Sequence, residues 1–169
     1  MNISITTQPT GRSPDNKFYF GTRTKDLDLT RPKYNRIGDE KDFDGLLDQY
    51  NRFFTFKHRL VFYTCGICFC VDTNDDRHAQ FVRNMFTVVD NPGDHTPNWN
   101  IMHNTDIVLA EPKIYVHLDK KVMLIGGTTF LGEIKKGVFG VVSFELPYQH
   151  ILPMHCSAFT YNNTTNLMF

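Results

Sequence analysis

Phe43, Leu46, Leu47, Tyr50, Phe53 and Phe54 recur at steps of three and four residues, the spacing that lines one face of a helix. Asp39-Glu40 ahead of them and Lys57-His58 behind suit the two ends of a helix dipole. The pattern predicts a core-facing helix with no chemistry of its own. Residues 60–71 are rich in Val, Ile, Phe, Tyr and Cys and are broken at Gly66, which reads as two strands or one strand with a bulge or turn. Residues 77–86 look helical, with Phe81, Val82 and Met85 on one side. After the turn Asp90-Asn91-Pro92-Gly93-Asp94 come four expected strands, at 99–103, 107–109, 113–117 and 121–125. A third helix is expected from about Leu131 to the break at Pro147, with Ile134, Val138, Val141 and Val142 on its face.

The flanks are less patterned. Lys17-Phe18-Tyr19-Phe20 reads as a short strand, and 21–40 as a surface loop. An apolar stretch at 151–159 precedes the polar run Asn162-Asn163-Thr164-Thr165-Asn166. Strands interspersed with about three helices predict a mixed α/β fold. We expect one domain over residues 1–158 and a divergent polar tail over 159–169.

Composition narrows the function classes. Lys+Arg 18 against Asp+Glu 18 gives a net charge of +0, which argues against a general nucleic-acid surface or a polybasic membrane surface. A hydrophobic content of 41% with 15 phenylalanines is core material enough to argue against disorder. No apolar run approaches the ~18 residues of a membrane span, and the first residues lack a signal-peptide pattern. Four cysteines in 169 residues do not resemble a disulfide scaffold, so a cytoplasmic setting is expected. The Asn-x-Ser/Thr matches at Asn2, Asn162 and Asn163 are then incidental.

Four places could carry chemistry. Gly11-Arg12-Ser13-Pro14 is a stiff turn that would hold a guanidinium outward toward carboxylate or phosphate oxygens, or an ordinary exposed turn. Gly126-Gly127-Thr128-Thr129-Phe130-Leu131-Gly132 leads from an apolar strand into a helix, an arrangement that aims backbone N–H groups at an anion. Lys135 and Lys136 follow, and adjacent helical residues diverge by about 100°, so the two would address different partners or simply solvent. His155, in Met154-His155-Cys156-Ser157-Ala158, is either a packed core histidine or a metal ligand. Cys65-Gly66-Ile67-Cys68, with Cys70 beyond, has zinc-like spacing but no second pair and sits among β-formers, which favours buried strand cysteines.

Four segments in order carry a resemblance: Thr10-Gly11-Arg12-Ser13-Pro14-Asp15-Asn16-Lys17-Phe18, His78-Ala79-Gln80-Phe81-Val82-Arg83-Asn84-Met85-Phe86, residues 124–137, and Leu152-Pro153-Met154-His155-Cys156-Ser157-Ala158. Together they resemble the amino-terminal portion of ATP-dependent phosphoenolpyruvate carboxykinase. The resemblance implies an amino-terminal-domain-like mixed sheet and a lyase of gluconeogenesis. Such enzymes convert oxaloacetate and ATP to phosphoenolpyruvate, ADP and CO2, using Mn2+ and Mg-ATP. By motif, Arg12 would grip the substrate carboxylate, Lys136 and His155 would ligate manganese, and Lys135 would contact phosphate. Lys136 and His155 would also face substrate and nucleotide phosphates.

The chain departs from that pattern in ways that matter. Phe130 stands where the family has a substrate-binding tyrosine, and the Gly-x-x-x-x-Gly-Lys-Ser/Thr loop is missing from the 169 residues. The family's third metal ligand, an aspartate, would lie beyond Phe169. The ending resembles what a frameshift or early stop leaves. The expected function is therefore that of a partial carboxykinase, inactive alone. The alternative is a non-catalytic binding or assembly module derived from the same domain, with a protein partner covering the face left by the missing nucleotide domain. A thiolate metal module at Cys65, Cys68 and Cys70 ranks third.

Overall fold

The computed structural model describes residues 14–28, 30, 36–53, 55 and 57–169. Nine strands and three α-helices occur among them. In chain order these are β1 (Lys17–Phe20), β2 (Arg36–Ile37), α1 (Glu40–Phe53), β3 (His58–Thr64), β4 (Ile67–Thr73) and α2 (Asp76–Met85). There follow β5 (Trp99–Asn104), β6 (Lys113–His117), β7 (Val122–Gly126), α3 (Gly132–Glu145), β8 (Ser157–Tyr161) and β9 (Thr164–Met168). The mixed α/β expectation holds. The first seven strands form one sheet in the order β2-β1-β6-β7-β5-β4-β3, with parallel pairings except β3 with β4 and β6 with β7.

The chain divides into two compact units, one reaching Gly137 and one from Val138 to Phe169. In the first unit α1 delivers its predicted face. Phe43, Leu46 and Tyr50 are buried with Phe20, Tyr115, Ile107 and Leu124 from the strands and the 107–112 segment. Each such side chain gains about 1.5–3 kcal/mol on burial, enough to fix the helix to this sheet face. The Tyr50 hydroxyl donates to the Ile125 carbonyl, which satisfies the one polar atom the ring carries inward. At the other end of the sheet β3 and β4 form a hairpin turning at Cys65 and Gly66, both at positive φ. Phe62 stacks on Phe69 and on Phe86 at centroid distances of 5.6 and 4.0 Å.

Three local expectations in the first unit differ from the structure. The expected 21–40 loop contains a 3-10 turn at Thr22–Asp26 and the two-residue strand β2, which pairs in parallel with β1. Residues 107–109 form no strand. Instead Leu109, Glu111 and Pro112 lie against Gly126 and Gly127, where a Cβ would collide with them. The inward face of α2 is His78, Ala79 and Val82, while Met85 is 38% exposed. A histidine reads as polar in a sequence pattern, so the face was assigned to the larger apolar residues.

In the second unit the polar run near the end is a hairpin. Tyr161 pairs with Thr164 across Asn162 and Asn163, whose φ values are 47° and 58°. Asparagine is the residue after glycine best suited to positive φ, and two such positions in a row make the turn that matches strand twist. Every residue of β8 and β9 is exposed.

Candidate functional site

Strands β4, β5 and β7 run parallel, so their carboxyl ends open on one edge of the sheet, the edge where open α/β sheets hold ligands. Three connections leave from it: Asn74-Asp75 into α2, Thr105-Asp106 after β5, and the 127–131 turn into α3. Between the first two, Thr55, Lys57, Asn74, Thr105 and Asp106 line an open polar groove of about 440 Å³. The Asn74 Oδ1 accepts from the Thr105 backbone N–H at 3.0 Å, tying the two connections together.

The turn into α3 is held from both sides. Gly127 has φ +69°, and a Cβ there would lie 3.0 Å from the Glu111 carbonyl oxygen, so neither the angle nor the space admits a side chain. Thr128 is fully buried, and its Oγ1 accepts from the Phe130 N–H at 3.1 Å. The Phe130 ring, half-buried, lies over Gly132, whose Cβ would meet it at 2.7 Å. Glu133 is 5% exposed, an acidic residue in the first turn of α3 where the helix dipole favours it.

Lys135 is exposed and Lys136 half-buried, in keeping with the divergence expected for neighbours on a helix. Phe130, Lys135 and Lys136 are thus carried by one turn and the helix it starts. His155 belongs to the second unit, where it is exposed, not packed in a core, its ring edge-on to Phe139 with centroids 5.2 Å apart. Arg12 lies outside the described residues. Among the described residues no three histidine, cysteine or carboxylate side chains form a group that could hold a metal.

Cys68 and Cys70 are buried on β4, packed with Val61, while Cys65 is exposed in the turn. Burial, with the Asp72 carboxylate next in effect, pushes the Cys70 thiol up to about 12. Among the described residues Cys65, Cys68 and Cys70 do not gather into a group that could hold a metal.

Sequence reasoning missed a polar cluster at the same sheet edge. Asp75, His78 and His103 meet there with Thr73, although they come from three elements and no motif joins them. The buried Thr128 and Glu133 were also unremarked. Their burial follows from the turn geometry and has no signal in composition.

No helix among the described residues is long and apolar enough to cross a membrane. The family model described as phosphoenolpyruvate carboxykinase matches residues 2–169, through the last hairpin. Among curated relatives, the phosphoenolpyruvate carboxykinase (ATP) of Deinococcus radiodurans is 29% identical over 92% of this chain and 37% of its own length. That of Bacillus velezensis is 31% identical over 88% of this chain and 32% of its own, and that of Staphylococcus aureus strain Newman 30% over 88% and 32%. The chain therefore spans about a third of the length of the relatives it matches. With a match along nearly all of its residues, the chain belongs to the ATP-dependent phosphoenolpyruvate carboxykinase family.

Proposed function

We propose that this chain supplies the amino-terminal share of a carboxykinase site in the cytoplasm, the part that grips oxaloacetate or phosphoenolpyruvate. The observation that carries the reading is the family match over residues 2–169, which includes the 126–136 segment and its two lysines. Lys135 and Lys136 leave α3 in diverging directions and would address different partners: Lys135 the phosphate oxygens, Lys136 the metal and substrate as the family's motif has it. Arg12 would hold the substrate carboxylate. Phe130 offers a ring without the tyrosine hydroxyl of the family, so it shapes the pocket and donates no hydrogen bond.

When CO2 leaves oxaloacetate an enolate remains, and a fixed positive charge beside its oxygen lowers the barrier. By the family's motif Lys136 would help hold the metal that supplies this charge, its amine lone pair serving as a ligand. Manganese would add Lewis-acid stabilisation of the same charge. By the family's motif Lys136 and His155 would hold it with an aspartate, and among the described residues no three histidine, cysteine or carboxylate side chains form such a group by themselves. No Gly-Lys pair occurs in the 169 residues, so nothing in them cradles the triphosphate of Mg-ATP.

The test is calorimetric titration of the 169-residue chain with phosphoenolpyruvate, beside an assay for ATP-dependent oxaloacetate decarboxylation. We expect measurable binding, weakened about tenfold or more in Lys136→Ala, since a charge-assisted hydrogen bond contributes ~1.5–3 kcal/mol. We expect no turnover. Binding unaffected by Lys135→Ala and by Lys136→Ala would overturn the site, and turnover by the chain alone would overturn the account of the missing loop. A second reading, an assembly module, is favoured by the fully exposed β8–β9 hairpin.

A further inference from the structure

His78 on α2 and His103 on β5 stack inside the first unit with ring centroids 3.8 Å apart and planes 27° apart. Both are buried, at 2% and 0% exposure. One carboxylate organises the first ring: Asp75 Oδ2 lies 2.5 Å from His78 Nδ1 and 3.0 Å from the His78 backbone nitrogen. The same group therefore caps α2 and orients the imidazole. The second ring is held by Thr73, whose Oγ1 is 2.8 Å from His103 Nδ1 and accepts the Asp75 N–H at 3.2 Å. Neither Nε2 has a hydrogen-bond partner of normal geometry among the described residues.

The partners assign the protons. An ionised Asp75 calls for N–H at His78 Nδ1, which leaves His78 Nε2 as a bare lone pair. A metal is the obvious taker for such a nitrogen, and the geometry refuses it. A ligated metal lies in the plane of each imidazole, whereas these two rings stack face to face, and among the described residues no third donor joins them. What the arrangement does accommodate is a pair of neutral rings. A proton added to either ring would place a charge against the face of its neighbour, and burial penalises that charge.

We propose that the His78–His103 stack is a proton-operated latch: neutral, it holds the first turn of α2 against the end of β5 beside the Thr128 main chain, and protonation of either ring releases that contact. The charged groups facing the pair are Asp75 and Arg77, both at the α2 end, while β4 and the turn before α3 present the uncharged Thr73 and Thr128. Burial is the main force holding His103 down to about 3, with the neighbouring His78 adding to it and the Thr128 main chain and Asp75 opposing. Burial also holds His78 below its usual range, against the pull of Asp75.

The opened rings take up protons from about pH 6.5; closed, His103 refuses them down to about pH 3, and His78 is held below its usual range. The latch is therefore fully favoured above pH 6.5 and loses ground as the pH falls below it. For His103 alone, an opened value near 6.5 and a closed one of about 3 raise the opening equilibrium about 30-fold between pH 7.5 and 5.0. This holds whether or not the carboxykinase reading does.

Hydrogen exchange of the 169-residue chain at pH 7.5 and 5.0, corrected for intrinsic rates, tests it. We expect segments 74–82, 99–105 and 126–134 to lose about 30-fold in protection while α1 keeps its own, and His103→Gln to lose most of that response. Loss of protection in α1 in step with the rest would show that the pair reports only global stability and would overturn the latch. So would a full pH response in His103→Gln. Should that variant not fold, imidazole nitrogen shifts of the wild-type chain decide: rings still neutral at pH 5.5 support the latch, and rings titrating between pH 6 and 7 overturn it.

Discussion

An alanine methyl added at Gly45 and one added at Gly127 meet opposite environments. Gly45 sits inside α1 with nothing within 4 Å of the added carbon, so the substitution only removes the chain freedom that glycine loses on folding. Gly45→Ala is expected to stabilise by ~0.5–1 kcal/mol in urea denaturation. At Gly127 the backbone is left-handed and the carbon would press on the Glu111 carbonyl and on Leu109. Gly127→Ala is expected to cost about 1–3 kcal/mol. Equal effects at the two positions would contradict the turn geometry on which the Lys135–Lys136 placement rests. Cysteine reactivity is a second residue-scale test. Cys65 should be alkylated in the native chain at pH 8, while Cys68 and Cys70 remain protected until denaturant is added. At this scale the sequence yielded the glycines, the lysines and the buried strand thiols, because each follows from a local pattern. It did not yield His78 and His103, since a buried histidine has the same letter as an exposed one and their meeting depends on how β4, β5 and α2 align.

Elements were legible in proportion to the length of their pattern. The faces of α1 and α3 could be read over several turns, and the break at Gly66 marked a real hairpin. Strand β2 has two residues, too few for any alternation, and exists because β1 offers it a parallel edge. The Asn162-Asn163 pair between β-formers was a signal for the last hairpin that polarity obscured. For α2 the decisive element-scale feature is its cap. Asp75→Ala removes the acceptor for the His78 backbone N–H and for the His78 ring together. We expect a loss of about 1–2 kcal/mol in equilibrium denaturation at pH 7. Burial pushes the Asp75 carboxyl up, but the His78 ring and backbone hydrogen bonds outweigh it and hold it below the usual range. Its contribution is thus present above about pH 3.9 and disappears as the pH falls through the lower folded value, well below the window in which the histidine pair acts.

For the whole chain, the question is what becomes of β8 and β9. A two-stranded hairpin alone is marginal in water, and this one has exposed strands that carry Phe159, Tyr161, Leu167 and Met168, followed by Phe169 at 91% exposure. Two unpaired edges with aromatic and aliphatic side chains invite strand addition from another polypeptide. The first unit carries its own core and should remain folded whatever happens to the hairpin. We therefore expect sedimentation velocity of the 169-residue chain to show concentration-dependent association. Replacing Tyr161 and Leu167 by lysine, Tyr161→Lys with Leu167→Lys, should suppress it without lowering the thermal midpoint of the first unit, because neither side chain is buried there. A chain that stays monomeric at all concentrations, with β8 and β9 amides already strongly protected from exchange, would mean that the hairpin is stable by itself, and the case for an assembly role would fall.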